Sequence, residues 1–382
     1  LESAREYGLQ DNFLLLGPKE NPYPYIARAN VVAVLSNYES WSMVITESKI
    51  LGTPVIATKT SGALEQIEDL KTGVLTEFSV ESIAEKLEHF LKSPQLQCTI
   101  RKNINNFDNT QQILDSFYTL LRIQTSVIHP SILYVIDDAN YGGGAHVATK
   151  NQIRSLVEQG KDITIFSSAL PSLKTRNEFE GISFIGWLNC TENQLFERRI
   201  WDCLTDCYLS AEDKVYKLRL TYESKVRKNP QVFDAYVKPR LSQLFSQYDI
   251  VCVMSEGSAF REEVANSKSK RKVQYIHTDY ATWREISDWS RMITANDSKI
   301  YERFDKIVLL SEGIKKRFLA IFPELEKKTV VNRNLLPGQE IQKKAIMIKP
   351  KGILVRFVTV GRVDYFKGFD RIHRALNKLN AE

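Results

Sequence analysis

The feature that most constrains the fold is an alternation, met twice along the chain, of short β-branched runs with amphipathic stretches. In the first third, Phe13–Leu16, Val31–Leu35, Pro54–Ala57 and Gly73–Leu75 read as buried strands. Pro22–Ala29, Met43–Leu51, Ser79–Leu91 and Gln111–Arg122 read as helices, the last with Leu114, Phe117, Tyr118 and Leu121 on one stripe. Gln124–Ser131 carries a proline and no period, which marks a linker. The pattern then restarts with strand Ile132–Ile136, the glycine turn Gly142–Gly144, helix His146–Gln159 closed by Gly160, and strand Ile163–Ser167. Glu192 to about Gln247 is mostly helical. Ile250–Met254, Lys272–His277, Lys306–Leu310, Thr329–Asn332 and Gly352–Val360 are further strands, and Phe369–Leu379 is a closing helix. Strands alternating with helices imply an α/β chain with two doubly wound parallel sheets.

The 382 residues give room for two domains, and 43% apolar with 26% charged residues excludes disorder, collagen and coiled coil. No apolar run approaches the ~18 residues of a membrane span. Neither a secretory signal nor an initiator methionine opens the chain, so it is expected to begin inside something longer or to have been cut. The net charge of +6 suits an anionic substrate or an acidic membrane surface. Five cysteines are odd in number and scattered, and Cys203 and Cys207 have no second pair to complete a zinc set. They read as buried thiols of a reducing cytoplasm, with no metal. Ser267–Lys272 is a basic run that reads as a solvated loop, with a membrane-surface contact as the lesser alternative. No nucleic-acid-binding module is present in the sequence, so no nucleic-acid partner is expected.

The strongest chemical motif is Glu39-Ser-Trp-Ser-Met-Val-Ile-Thr-Glu47, two glutamates separated by seven residues. Glu39 sits in the turn beyond the carboxyl end of Val31–Leu35, where open α/β sheets bind ligands. Glu47 falls on the next helix, on the order of 12 Å farther along. Two carboxylates at that reach can accept hydrogen bonds from hydroxyl groups at opposite ends of one ligand. On spacing alone, a helix-capping acid followed by a surface acid fits as well or better. Next come Leu51–Ala57 and Thr60-Ser-Gly-Ala-Leu-Glu65, where Gly62 opens a turn whose N–H groups could face an anion.

At the other end of the chain, Val360-Gly-Arg-Val-Asp-Tyr-Phe-Lys-Gly-Phe-Asp370 reads as a strand, a glycine turn and a helix start, with Arg362 and Lys367 five apart. Two cations beside a helix N-terminus can clamp a diphosphate, and a polar loop with solvated cations fits the same residues. The glycine turn Gly142, Gly143, Gly144 is a weak signal alone. His277, at the end of a strand in Tyr275-Ile-His-Thr-Asp-Tyr280, is by itself more often a structural histidine.

Taken together, Val34–Glu47 with Gly52–Glu65 resembles the donor-binding half of family 4 glycosyltransferases, which have the GT-B fold, and Asp11–Gly17 is similar to the strand that precedes it there. The resemblance implies two Rossmann-like domains facing a cleft and a retaining transfer of a sugar from a nucleotide diphosphate-sugar. A UDP-sugar is the commonest donor, and no cofactor or metal is needed. It implies that Arg362 and Lys367 hold the donor's phosphates and that Glu47 binds the ribose hydroxyls. Glu39 would bind the transferred sugar, His277 that sugar from the acceptor side, and Gly142–Gly144 would close on the phosphates. Ser311-Glu312 and Asn332-Arg333-Asn334 also resemble family landmarks, although Arg333 stands where small residues are commoner. The acceptor implied is a glycan or lipid-linked glycan, such as a bacterial surface-polysaccharide intermediate. The protein would then be cytoplasmic, with a peripheral contact at the inner face of the membrane.

The family's segments occur here in rotated order. Residues 1–123 resemble the C-terminal part of the donor domain, 124–130 a linker, 131–350 the acceptor-side domain, and 351–382 the first strand and helix of a donor domain. On the order of 15 residues that the family carries between the clamp helix and residue 1 are absent. The chain is therefore either a circular permutant or a slice across two tandem copies, and the mid-domain ends favour the slice. Two other functions fit: a nucleotide-sugar epimerase, and a non-catalytic GT-B partner subunit that stabilises an active enzyme or presents acceptor to it.

Overall fold

The computed structural model describes residues 14–121, 130–140, 142–346, 357–363 and 365–381. They form eleven strands: β1 (Val31–Val34), β2 (Val55–Thr58), β3 (Val74–Thr76), β4 (Ser131–Ile136), β5 (Asp162–Ser167), β6 (Ser183–Gly186), β7 (Ile250–Val253), β8 (Arg271–Ile276), β9 (Lys306–Leu309), β10 (Thr329–Val331) and β11 (Phe357–Val358). The chain divides into two units, one of residues 1–117, 310–318 and 331–382, the other of 118–309 and 319–330. Residues 331–346 thus group with the N-terminal segment.

The first unit holds a four-stranded sheet in the order β11-β1-β2-β3, with every pairing parallel. Its outer strand comes from the far end of the sequence, with Val31 opposite Phe357 and Val32 opposite Val358. Alternate residues of β1 face opposite ways, and both faces are covered. Val31, Ala33 and Leu35 pack with Ile83, Leu87 and Phe90 of helix Val80–Lys92 and with Ile372 and Ala375 of helix Phe369–Ala381. Val32 and Val34 pack with Ile45, Ala63 and Ile67, on or beside helices Met43–Ile50 and Ser61–Gln66. Each such aliphatic side chain removed from water contributes about 1.5–3 kcal/mol.

The second unit carries seven strands in the order β10-β9-β8-β7-β4-β5-β6. The pairings from β9 through β6 are parallel. The chain moves outward from β4 to β6 and then returns on the other side of β4 as β7. That reversal puts a ligand crevice at the carboxyl ends of β4 and β7. In the first unit the same reversal falls between β1 and β11.

Two expectations need correction, and two elements went unread. Leu14–Leu16 is exposed coil, not the buried strand read over Phe13–Leu16, because no ladder partner takes it up among the described residues; Phe13 lies outside them. Strand β6 and helix Pro94–Ile104 were not legible. Cys98 and Cys207 are exposed, whereas Cys190, Cys203 and Cys252 are buried. Cys98 stands two positions before the buried Ile100, which turns it outward on its helix.

Candidate functional site

Beyond β1 the chain turns through Ser36–Trp41, held by short polar contacts. Thr58 Oγ1 donates to the Ser36 carbonyl at 2.6 Å, and Ser36 Oγ donates to Glu39 Oε2 at 3.2 Å. Ser42 caps the next helix by accepting from Ile45 N–H. The buried Gln66 brackets that cap. Its Oε1 accepts from Ser42 N–H at 2.9 Å, and its Nε2 donates to the Ser42 carbonyl and to Thr46 Oγ1, each at 2.8 Å. Gly62 donates its N–H to the Glu39 carbonyl at 3.0 Å, so that group is committed to the loop and not presented to an anion. A Cβ there would lie 2.7 Å from the Ser40 carbonyl oxygen, which explains the glycine as a point of close backbone approach.

The turn Tyr365–Lys367, beyond β11, docks on the same loop. Asn37 N–H donates to the Phe366 carbonyl at 2.8 Å, and Asn37 Nδ2 donates to the Tyr365 carbonyl at 2.5 Å. Arg371 donates from Nη1 to the Leu35 carbonyl at 3.1 Å and from Nη2 to Asn37 Oδ1. Gly368 has φ +61°, and any Cβ would collide with the Leu35 carbonyl. These contacts set Lys367 Nζ 2.7 Å from Glu39 Oε2, an ion pair between residues 328 apart in sequence. Both side chains are largely buried, 26% and 13% exposed, and they line a recess with Ser36, Ser42 and Thr359. Arg362 stands exposed beyond β11, and Asp364 lies outside the described residues.

Glu47 is 8% exposed on helix Met43–Ile50, and burial pushes its carboxyl up to about 7. Burial, and then the carboxylates of Glu47 and Glu340, push the Tyr23 hydroxyl up as well. Arg333 lies over the Trp41 ring at 4.7 Å and so buttresses the Glu39 loop from behind.

In the second unit His277 follows β8 directly and stacks on Tyr275 with ring centroids 5.9 Å apart. The residue is half-buried, with both ring nitrogens turned away from water, and neither nitrogen has a hydrogen-bond partner among the described residues. Burial pulls its pKa down, opposed by Glu256. Glu256 accepts from His277 N–H at 3.2 Å and from Thr278 Oγ1, which fixes the strand end. Gly142, Gly143 and Gly144 are exposed, and Gly143 (φ +149°) precedes helix Gly144–Glu158. Asp137, at the end of β4, accepts from Ser258 Oγ at 3.0 Å and Ala259 N–H at 3.1 Å, tying the two loops of the crevice together. Sequence reasoning missed Asn37, Gln66, Asp137, Glu256 and Arg371. For Asn37, Asp137 and Glu256 the only local signal was a polar residue just beyond a strand, which is common, and Gln66 and Arg371 are ordinary polar residues of helices.

The fold is α/β with two Rossmann-like parallel sheets, one of four and one of seven strands, as in GT-B proteins. Residues 1–107, which contain Glu39, Glu47 and Gly62, match the family described as "Glycosyl transferases group 1". Among curated relatives, the N-acetyl-alpha-D-glucosaminyl L-malate synthase of Bacillus anthracis is 25% identical over 125 residues, 31% of this chain and 33% of that protein. The N-acetylgalactosamine-N,N'-diacetylbacillosaminyl-diphospho-undecaprenol 4-alpha-N-acetylgalactosaminyltransferase of Campylobacter jejuni is 35% identical over 99 residues, 25% of this chain and 27% of the relative. The capsular polysaccharide biosynthesis glycosyltransferase CapM of Staphylococcus aureus is 30% identical over 115 residues, 28% and 30% of the two chains. The matches span about a quarter to a third of the length of these relatives.

Proposed function

We propose that the chain is a retaining glycosyltransferase of family 4 type, moving a sugar from a nucleotide diphosphate-sugar, a UDP-sugar first among candidates, to an acceptor hydroxyl. The acceptor is a lipid-linked intermediate of a bacterial surface polysaccharide, reached at the inner face of the membrane. The names of the Campylobacter and Staphylococcus relatives support that class. One donor site is assembled from both ends of the sequence, and the observation that carries this reading is the contact of Lys367 with Glu39 at the reversal between β1 and β11.

In this mechanism the donor's diphosphate, carrying more charge than one carboxylate, draws Lys367 from Glu39. Arg362 adds a second cation, and Gly142–Gly144 with the helix N-terminus behind them closes on the phosphates. Glu39, released, accepts hydrogen bonds from the sugar; Glu47 accepts from the ribose; His277 offers a ring nitrogen to the sugar. The bond from the anomeric carbon to the diphosphate oxygen breaks as the acceptor oxygen bonds to that carbon on the same face. The acceptor's proton leaves with the diphosphate. Each phosphate cation supplies on the order of 2–4 kcal/mol to the transition state.

Calorimetric titration with UDP and GDP, on the chain and on its Lys367→Ala and Glu47→Ala variants, tests the reading. Both substitutions are expected to weaken the same nucleotide. Absence of nucleotide binding, or binding indifferent to Lys367, would overturn the single assembled site.

A further inference from the structure

The second unit carries a helical region with its own small core of Leu195, Cys203, Leu220, Val232 and Val237. Helix Ala211–Thr221 continues through the wide turn Tyr222–Val226 and lays Tyr216 and Leu220 against that core. Its other side is apolar too. Val215, Leu218, Tyr222 and Val226 are 65%, 46%, 51% and 66% exposed. Their spacings of three, four and four residues put them on one stripe. Single exposed apolar residues need no explanation, but a continuous helical stripe does.

The charges around the stripe are one-sided. Residues 211–228 hold six cations against three acids. Of the acids, Asp213 is paired with Arg240 at 2.6 Å, and Glu223 is buried and paired with Arg227 at 3.4 Å. That leaves Glu212. Lys214 and Lys225 flank the stripe on one side and Arg219 on the other, while Lys228 follows its end. The neighbouring helix Ile200–Leu204 and the loop after it expose Trp201 (73%) and Tyr208 (94%), side chains suited to a boundary between water and an apolar phase.

We propose that this helix docks on an anionic lipid bilayer, with Val215, Leu218, Tyr222 and Val226 in the headgroup boundary and the flanking cations on lipid phosphates. A stripe four residues long, with cations on both edges, has the chemistry of an interfacial helix. It falls far short of the roughly 20–30 residues a side that a stable protein interface uses. Among the described residues no helix is long and apolar enough to cross a membrane. The inference rests on the proposed lipid-linked acceptor and assigns the surface that brings the enzyme to it.

Co-sedimentation of the full chain with phosphatidylcholine vesicles, with and without phosphatidylglycerol, tests the proposal. Binding is expected only with the anionic lipid and should weaken with salt. Lys214→Gln with Lys225→Gln should weaken it about fivefold per cation removed. Val215→Ser with Val226→Ser should lower it at least tenfold at unchanged charge. Titration of both variants with UDP is expected to match the unmodified chain, which shows them folded and separates failure of the docking surface from failure of the donor site. Indifference to phosphatidylglycerol, vesicle binding unchanged by both variants, or a dimer that dissociates in the Val215 and Val226 variant would overturn the proposal.

Discussion

Replacing Glu47 with glutamine tests the donor site and the fold together. Burial raises this carboxyl to about 7 from an ordinary 4.5, so the unfolded chain gives up the proton first as pH rises. The group's contribution to stability is therefore complete below about 4.5 and is lost as pH climbs through about 7. A shift of that size amounts to at most about 3 kcal/mol near pH 8 and about 2 kcal/mol near pH 6. Glu47→Gln keeps the shape and removes the titration. The variant should resist denaturant better than the unmodified chain, by a margin about 1 kcal/mol wider at pH 8 than at pH 6. Donor binding should move the other way, because a carboxylate accepts fully from ribose hydroxyls only when ionised. Relative to the variant, the unmodified chain should gain about tenfold in UDP affinity between those two pH values. Denaturant melts and calorimetric titrations at both pH values read the two effects separately. A variant no more stable at pH 8 would refute the burial argument, and a ratio of affinities that does not change with pH would refute the ribose contact.

Other expectations follow from the docking of the two loops. Arg371→Met removes two charge-assisted hydrogen bonds, each worth about 1.5–3 kcal/mol, and should weaken UDP binding although the residue is not placed on the nucleotide. Arg371→Lys should not restore it, because an ammonium cannot span both acceptors, and calorimetry on the two variants decides the point. Gly368→Ala must hold φ +61° against the Leu35 carbonyl and should cost more than the about 1–2 kcal/mol of a left-handed residue in a thermal melt. His277→Ala should cut transfer to acceptor while leaving UDP affinity within about twofold, because the histidine is assigned to the sugar rather than to the phosphates.

Much of the fold could be read locally. Strands buried on both faces are unbroken β-branched runs, and β1, β2, β4, β5, β7, β8 and β9 fell within a residue or two of their expected bounds. Elements that depend on context could not be read. Strand β6 is a half-exposed edge with a mixed pattern, and Pro94–Ile104 shows the core little more than Leu96, Ile100 and Ile104. Leu14–Leu16 has a strand's composition and lacks a strand's neighbour. Likewise, the glutamates and the Arg362/Lys367 turn stood out through their resemblance to glycosyltransferase motifs, whereas Asn37 and Arg371 did not. Their meaning depends on partners more than 320 residues away.

That distance also determines what places Lys367. Among the described residues the ladder between β11 and β1 is two residue pairs long, a weak constraint on where the following turn ends. Asn37 contributes two bonds to the backbone of Tyr365 and Phe366, and Arg371 two more to Leu35 and Asn37 itself. Asn37 is the node common to three of the four. At about 1 kcal/mol for each neutral bond and more for the guanidinium ones, this network outweighs the ladder. Asn37→Ala keeps the backbone bond to Phe366 but removes the two made by the side chain, and should consequently loosen the Lys367–Glu39 pair more than any substitution in β11. In the presence of UDP it should resemble Lys367→Ala in calorimetry while leaving both cations in the sequence. Nucleotide binding as strong as in the unmodified chain would instead mean that the ladder alone positions the lysine.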